Sequence, residues 1–143
     1  GRFKKALGCF DETIKLDPEY PNSYFNKGHA LHNLGNYREA IEYFDKTIEL
    51  EPQHPNVYFS KGSALDGLAR YKEAIDCFDK AIELDPEDQN AYVGKGCEFN
   101  NLKQYQKAIE CFDKAIRVDP QEPNHYFRKG CAFGSLEQYQ SAI

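Results

Sequence analysis

His29 and His32 stand three residues apart, one turn along any helix that carries them. Imidazoles at that spacing can share a metal ion, and Asp66 further along would supply a third, carboxylate ligand. The pair occurs once and no Cys-x-x-Cys accompanies it, so both read as surface histidines and no metal is expected. Lys27, Lys61, Lys95 and Lys129 each precede a glycine, as lysines of phosphate loops do. The Gly-x4-Gly-Lys-Ser/Thr loop that cradles phosphate is absent, however. These lysines are expected instead to pair with acids such as Asp45, Asp79 and Asp113, for about 0–1 kcal/mol each if exposed. The five cysteines make no catalytic pair, and HExxH, GxSxG and dinucleotide signatures are missing. The chemistry points away from an enzyme, and no cofactor is expected.

What holds these residues is a period. Pro18, Pro52, Pro86 and Pro120 are each 34 residues apart, inside recurring text such as IKLDPEYPNSYFNKG and IRVDPQEPNHYFRKG. A constant period of this length marks units that stack along one axis and contact mainly their neighbours. Within residues 21–54, Tyr24, Gly28, Leu31 and Leu34 recur along one helical face. Tyr37, Ala40, Ile41, Phe44, Thr47 and Ile48 mark a second, broader stripe. Leu34-Gly35-Asn36 between them signals a tight turn, with glycine suited to the left-handed conformation after a helix end. Pro21 suits a first helical position, and Pro52 ends the second helix.

The predicted organisation is a second helix of a leading repeat over 1–20 and full repeats over 21–54, 55–88 and 89–122. A truncated repeat over 123–143 follows, ending on Ala142 and Ile143 as core positions of an unfinished second helix. Gly28, Gly62, Gly96 and Gly130 share one register. Mid-helix glycine costs about 1 kcal/mol against alanine, so the register predicts close approach of the second helix at Ala40, Ala74, Ala108 and Ala142. Tyr24, Tyr58, Tyr92 and Tyr126 should fill one helix face, and Phe10, Phe44, Phe78 and Phe112 the other.

Tyr24-x2-Lys27-Gly28-x2-Leu31, Ala40-x3-Phe44 and Pro52 together resemble the tetratricopeptide repeat, W-x2-L-G-x2-Y, A-x3-F and P. Tyr stands for Trp, Lys for the first Leu, and Leu or Phe for the Tyr; glycine, alanine, phenylalanine and proline match. The resemblance covers essentially the whole chain. It implies an all-α fold, an α-solenoid of tandem antiparallel helix pairs in a right-handed superhelix, whose first helices line a concave groove.

A second stripe on the first helices lies roughly 100–120° from the core stripe. It comprises Asn22, Phe25, His29 and His32; Asn56, Phe59, Ser63 and Asp66; Asn90, Val93, Cys97 and Asn100; and Asn124, Phe127, Arg128 and Cys131. On the resemblance these are the partner-binding residues. The asparagines can give and accept hydrogen bonds along a peptide backbone, and the phenylalanines offer apolar anchors. Alternatively the asparagines satisfy free N–H groups at helix starts and the phenylalanines pack against adjacent repeats. A chaperone-tail clamp would need Lys at Phe25, Phe59, Val93 and Phe127, and Asn at His29, Ser63, Cys97 and Cys131. Arg128 alone adds a cation, so that ligand is not expected.

A net charge of −5 argues against nucleic acid and anionic membranes, both met through Lys and Arg. No uncharged apolar run spans a bilayer. Cysteines in equal registers of stacked units lie beyond disulfide reach, which suits reduced thiols in the cytoplasm. The expected function is a non-catalytic scaffold that binds a protein or peptide partner. The alternatives are an arm of a larger, glycosyltransferase-like enzyme, or a structural component joined by end-to-end or lateral contacts.

Overall fold

The turn residues decide where helices begin and end. After the first helix of a repeat, the chain reverses on a residue with positive φ: Gly35 at 79°, Ala69 at 56° and Lys103 at 59°. Each reversal carries the same two bonds. Gly35 N–H reaches His32 O and Asn36 N–H reaches Leu31 O, with Ala69–Asp66 and Arg70–Leu65, then Lys103–Asn100 and Gln104–Phe99, as their counterparts. This is the paired-bond cap that satisfies the last carbonyls of a helix, and it needs one left-handed residue.

The computed structural model describes residues 2–54 and 56–142, and places eight helices and no strand among them. They fall into two compact units. The first unit holds α1 (Arg2–Leu16), α2 (Pro21–Asn33), α3 (Tyr37–Leu50) and α4 (Val57–Asp66). The second holds α5 (Tyr71–Leu84), α6 (Gln89–Asn101), α7 (Tyr105–Val118) and α8 (Pro123–Ser141). Within each unit every helix packs on the next, and such short turns make neighbours antiparallel. In the first unit α2 also touches α4.

Small residues set the spacing. A Cβ on Gly28 would stand 2.8 Å from the Phe44 ring and 3.2 Å from the Ala40 carbonyl oxygen; on Gly96 it would stand 2.7 Å from Phe112. Ala40, Ala74 and Ala108 are fully buried, as are Phe44, Phe78 and Phe112 to within a few per cent. Burial of each phenylalanine is worth about 1.5–3 kcal/mol. Tyrosine in place of tryptophan has a use here: the hydroxyls of Tyr24, Tyr58 and Tyr126 donate to the Pro18, Pro52 and Pro120 carbonyls at 3.0, 2.9 and 3.2 Å. Each tyrosine thereby ties its helix to the preceding turn.

The expected ion pairs form at all four lysines. Lys61 meets Asp45 at 2.5 Å and Lys129 meets Asp113 at 2.6 Å, while Lys27 pairs with Asp11 and Lys95 with Asp79. Each joins a first helix to the second helix of the preceding repeat, sixteen residues upstream.

The last segment departs from expectation. α8 runs unbroken through Leu136-Glu137-Gln138, where the other repeats turn. Gly130 has nothing within 4 Å of its Cβ position, Tyr126 is half exposed, and Ala142 is exposed rather than a core residue. Ile143 lies outside the described residues. The left-handed position would fall on Glu137, where it costs about 1–2 kcal/mol, and Leu, Glu and Gln are good helix formers.

Candidate partner-binding surface

In the first unit the stripe is an aromatic patch held by a histidine that the periodicity did not reveal. Asn22, second residue of α2, is exposed, but its Oδ1 lies 2.9 Å from Nε2 of buried His54. Phe25 is half-buried, its ring 4.6 Å from that of His54 and 6.0 Å from that of Phe44. His29 is exposed and His32 half-buried, with rings 6.3 Å apart, and His32 meets Tyr37 edge-on at 5.2 Å. On α4, Phe59 is half-buried and Asp66 exposed; the Ser63 hydroxyl donates to its own helix at Phe59 O. Asn56 stands before α4 in the left-handed region at φ 67°, a conformation asparagine tolerates, and is not a helix residue like Asn22. Among the described residues no three His, Cys, Asp or Glu side chains are grouped to hold a metal ion.

In the second unit Asn90 and Asn124 are exposed second residues of α6 and α8. Their backbone N–H groups are taken by the carboxylates of Asp88 and Glu122 at 2.9 and 3.0 Å, so acids, not asparagines, cap these helices. Val93 and Cys97 pack against the cluster of Ala108, Ile109, Phe112 and Ala132, and belong to the core as much as to the surface. Phe127 is 70% exposed and Cys131 is exposed beside it on α8. Arg128 is half-buried and donates from Nη1 to Cys97 Sγ at 3.1 Å. Its Nε and the Oδ1 of Asn100 are buried without a hydrogen-bond partner among the described residues.

Two features escaped the sequence reading. His54 and His125 are buried; His54, in the connection before α4, reaches Asn22 of α2, and His125 of α8 brings its Nε2 to 2.8 Å from Gln89 Oε1 of α6. They break the consensus at unrelated registers, His54 where Tyr20, Asp88 and Glu122 stand and His125 where Ser23, Val57 and Ala91 stand. Such departures were the only signal available. Gly67 and Gly94 are close approaches as well, to the rings of Tyr37 and Phe78.

Helix pairs joined by identical left-handed turns, tied by ion pairs at fixed spacing, define an α-solenoid of tandem antiparallel repeats. The tetratricopeptide repeat family matches over residues 21–54, 55–88 and 90–122, and a related repeat model over 1–35; the chain belongs to this family. No curated protein matches the sequence. Among solved structures, MamA from residue 41 onward of Desulfovibrio magneticus RS-1 is 29% identical with a TM-score of 0.90, over 99% of this chain and 80% of that one. A crystal structure of MamA is 26% identical with a TM-score of 0.89, over 94% and 79%. The first repeat domain of Spaghetti (RPAP3) bound to the HSP90 peptide SRMEEVD shares the fold at 20% identity and a TM-score of 0.78, over 82% and 93%.

Proposed function

We propose that the chain is a non-catalytic interaction scaffold whose first-helix stripes receive an extended peptide or helix of a protein partner. The observation that carries this reading is the set of stripe residues left unused by core and caps. Asn90, Asn124 and Phe127 are exposed, and acids rather than the asparagines cap α6 and α8. An exposed aromatic flanked by amides offers an anchor together with backbone hydrogen bonding. The peptide-bound RPAP3 domain supports the mode by fold alone. The partner differs from an acidic chaperone tail, since phenylalanine, valine, histidine and cysteine occupy the positions that a carboxylate clamp requires. A net charge of −5 favours protein over nucleic acid, and among the described residues no helix is long and apolar enough to cross a membrane. The proposed setting is the cytoplasm.

Selection of displayed peptides on the protein, followed by titration against Phe127→Ala with Asn124→Ala, tests the surface. The expected loss is at least about 10-fold in affinity with melting temperature unchanged, as for truncation of an interface anchor. Undiminished binding would exclude the stripe.

A further inference from the structure

Cys111 on α7 holds the register of Tyr43 on α3, two periods earlier. In the first unit the Tyr43 ring stacks on Tyr24 with centroids 6.4 Å apart. Lys27 Nζ stands 4.3 Å from the Tyr43 centroid and 2.6 Å from its hydroxyl, while also binding Asp11. The second unit repeats the surroundings without the ring. Tyr92 takes the place of Tyr24, and Lys95, bound to Asp79, takes that of Lys27. Between them lies a cavity of about 310 Å³, with Phe99 as a further wall and Cys111 as its floor. That volume is at the lower end of the roughly 300–1,000 Å³ of small-ligand pockets.

The rim suits an aromatic guest. Lys107 stands 5.4 Å from the Phe99 centroid and Lys114 5.8 Å from that of Tyr92, so cations flank the space, with Glu110 between them in sequence. Tyr92, Lys95 and Phe99 lie on a different face of α6 from Val93, Cys97 and Asn100, so the pocket is separate from the stripe. We propose that this pocket binds a phenol ring, that of a tyrosine on a partner polypeptide, stacked on Tyr92 with its hydroxyl accepting from Lys95. The chain itself shows the fit, because a tyrosine occupies the corresponding space of the first unit.

Para-cresol is the probe for the ring, followed through the Tyr92 and Phe99 ring resonances. The expected result is saturable shifts with cresol and weaker binding of toluene, which lacks the hydroxyl. Cys111→Tyr should fill the space and lose the binding. Tyr43→Cys should create a second cresol site beside Tyr24 and Lys27, as engineered cavities admit small aromatics. This second variant keeps the test open if Cys111→Tyr does not fold. Acetyl-Gly-Tyr-Gly-amide should shift the same resonances as cresol, and acetyl-Gly-Leu-Gly-amide should not. No saturable shift in the wild type, equal binding by Cys111→Tyr, or no new site in Tyr43→Cys would overturn the phenol pocket. Cresol binding without binding of the tyrosine peptide would overturn the assignment to a partner tyrosine.

Discussion

At the scale of single residues, Cys111 and Lys27 show how position governs chemistry in equal registers. Cys111 is 7% exposed, and burial pushes its thiol from 9.0 up to about 11, with Lys95 and Lys114 opposing only in part. The thiolate is the nucleophile, so a shift of about two units lowers its population about 100-fold. Cys9 and Cys131 are exposed. Timed iodoacetamide labelling with mass spectrometry should modify those two first and Cys111 far more slowly, with denaturant removing the difference. For Lys27, burial works against the ammonium, but its bonds to Asp11 and Tyr43 outweigh that and hold its pKa above the usual 10.5. A raised folded value means that this stabilisation is complete below pH 10.5 and is lost as pH climbs through the folded value. The melting-temperature gap between wild type and Lys27→Met should therefore stay constant from neutral pH to 10.5 and narrow above it.

At the scale of elements, the turns carry the clearest stability prediction. Lys103 and Ala69 adopt a left-handed conformation that costs a non-glycine residue about 1–2 kcal/mol. Glycine removes that strain but loses roughly 0.5–1 kcal/mol in backbone entropy. Lys103→Gly should then raise stability by about 0.5–1 kcal/mol in urea melts, and Gly35→Ala should lower it. The turns, the close approach of the second helix to the register glycines and the lysine–aspartate pairs were legible in the sequence because repetition exposes any constraint shared by every unit. The approach was expected at the alanines, however, and is made first by the phenylalanine rings. The capping acids Asp88 and Glu122, the bridging His54 and His125, and the burial of Val93 and Cys97 were hidden, because each occurs in one place and depends on its neighbours. α8 was misread for a related reason. Its local text is that of a turn, but Leu136, Glu137 and Gln138 are also good helix formers and the helix runs through them.

At the scale of the molecule, a helix is as secure as its contacts. Among the described residues α1 packs on α2, α5 on α6 and α8 on α7 as single main partners in their units, whereas α3, α6 and α7 each have two and α2 has three. Native-state hydrogen exchange should show lower protection in α1, α5 and α8 than in α2, α3, α6 and α7, as expected of nearest-neighbour stabilisation. Uniform protection along the chain would contradict this account. The lysine–aspartate pairs carry a further consequence, in the history a gene can have. Each joint is keyed alike, aspartate upstream and lysine sixteen residues on, so its parts are interchangeable between copies. Excision of residues 55–88 would set Lys95 sixteen residues after Asp45, restoring a joint between partners that had never met. Recombination in whole multiples of the period can thus lengthen or shorten the array while every seam stays matched, and a cut out of phase would strand charges on both sides.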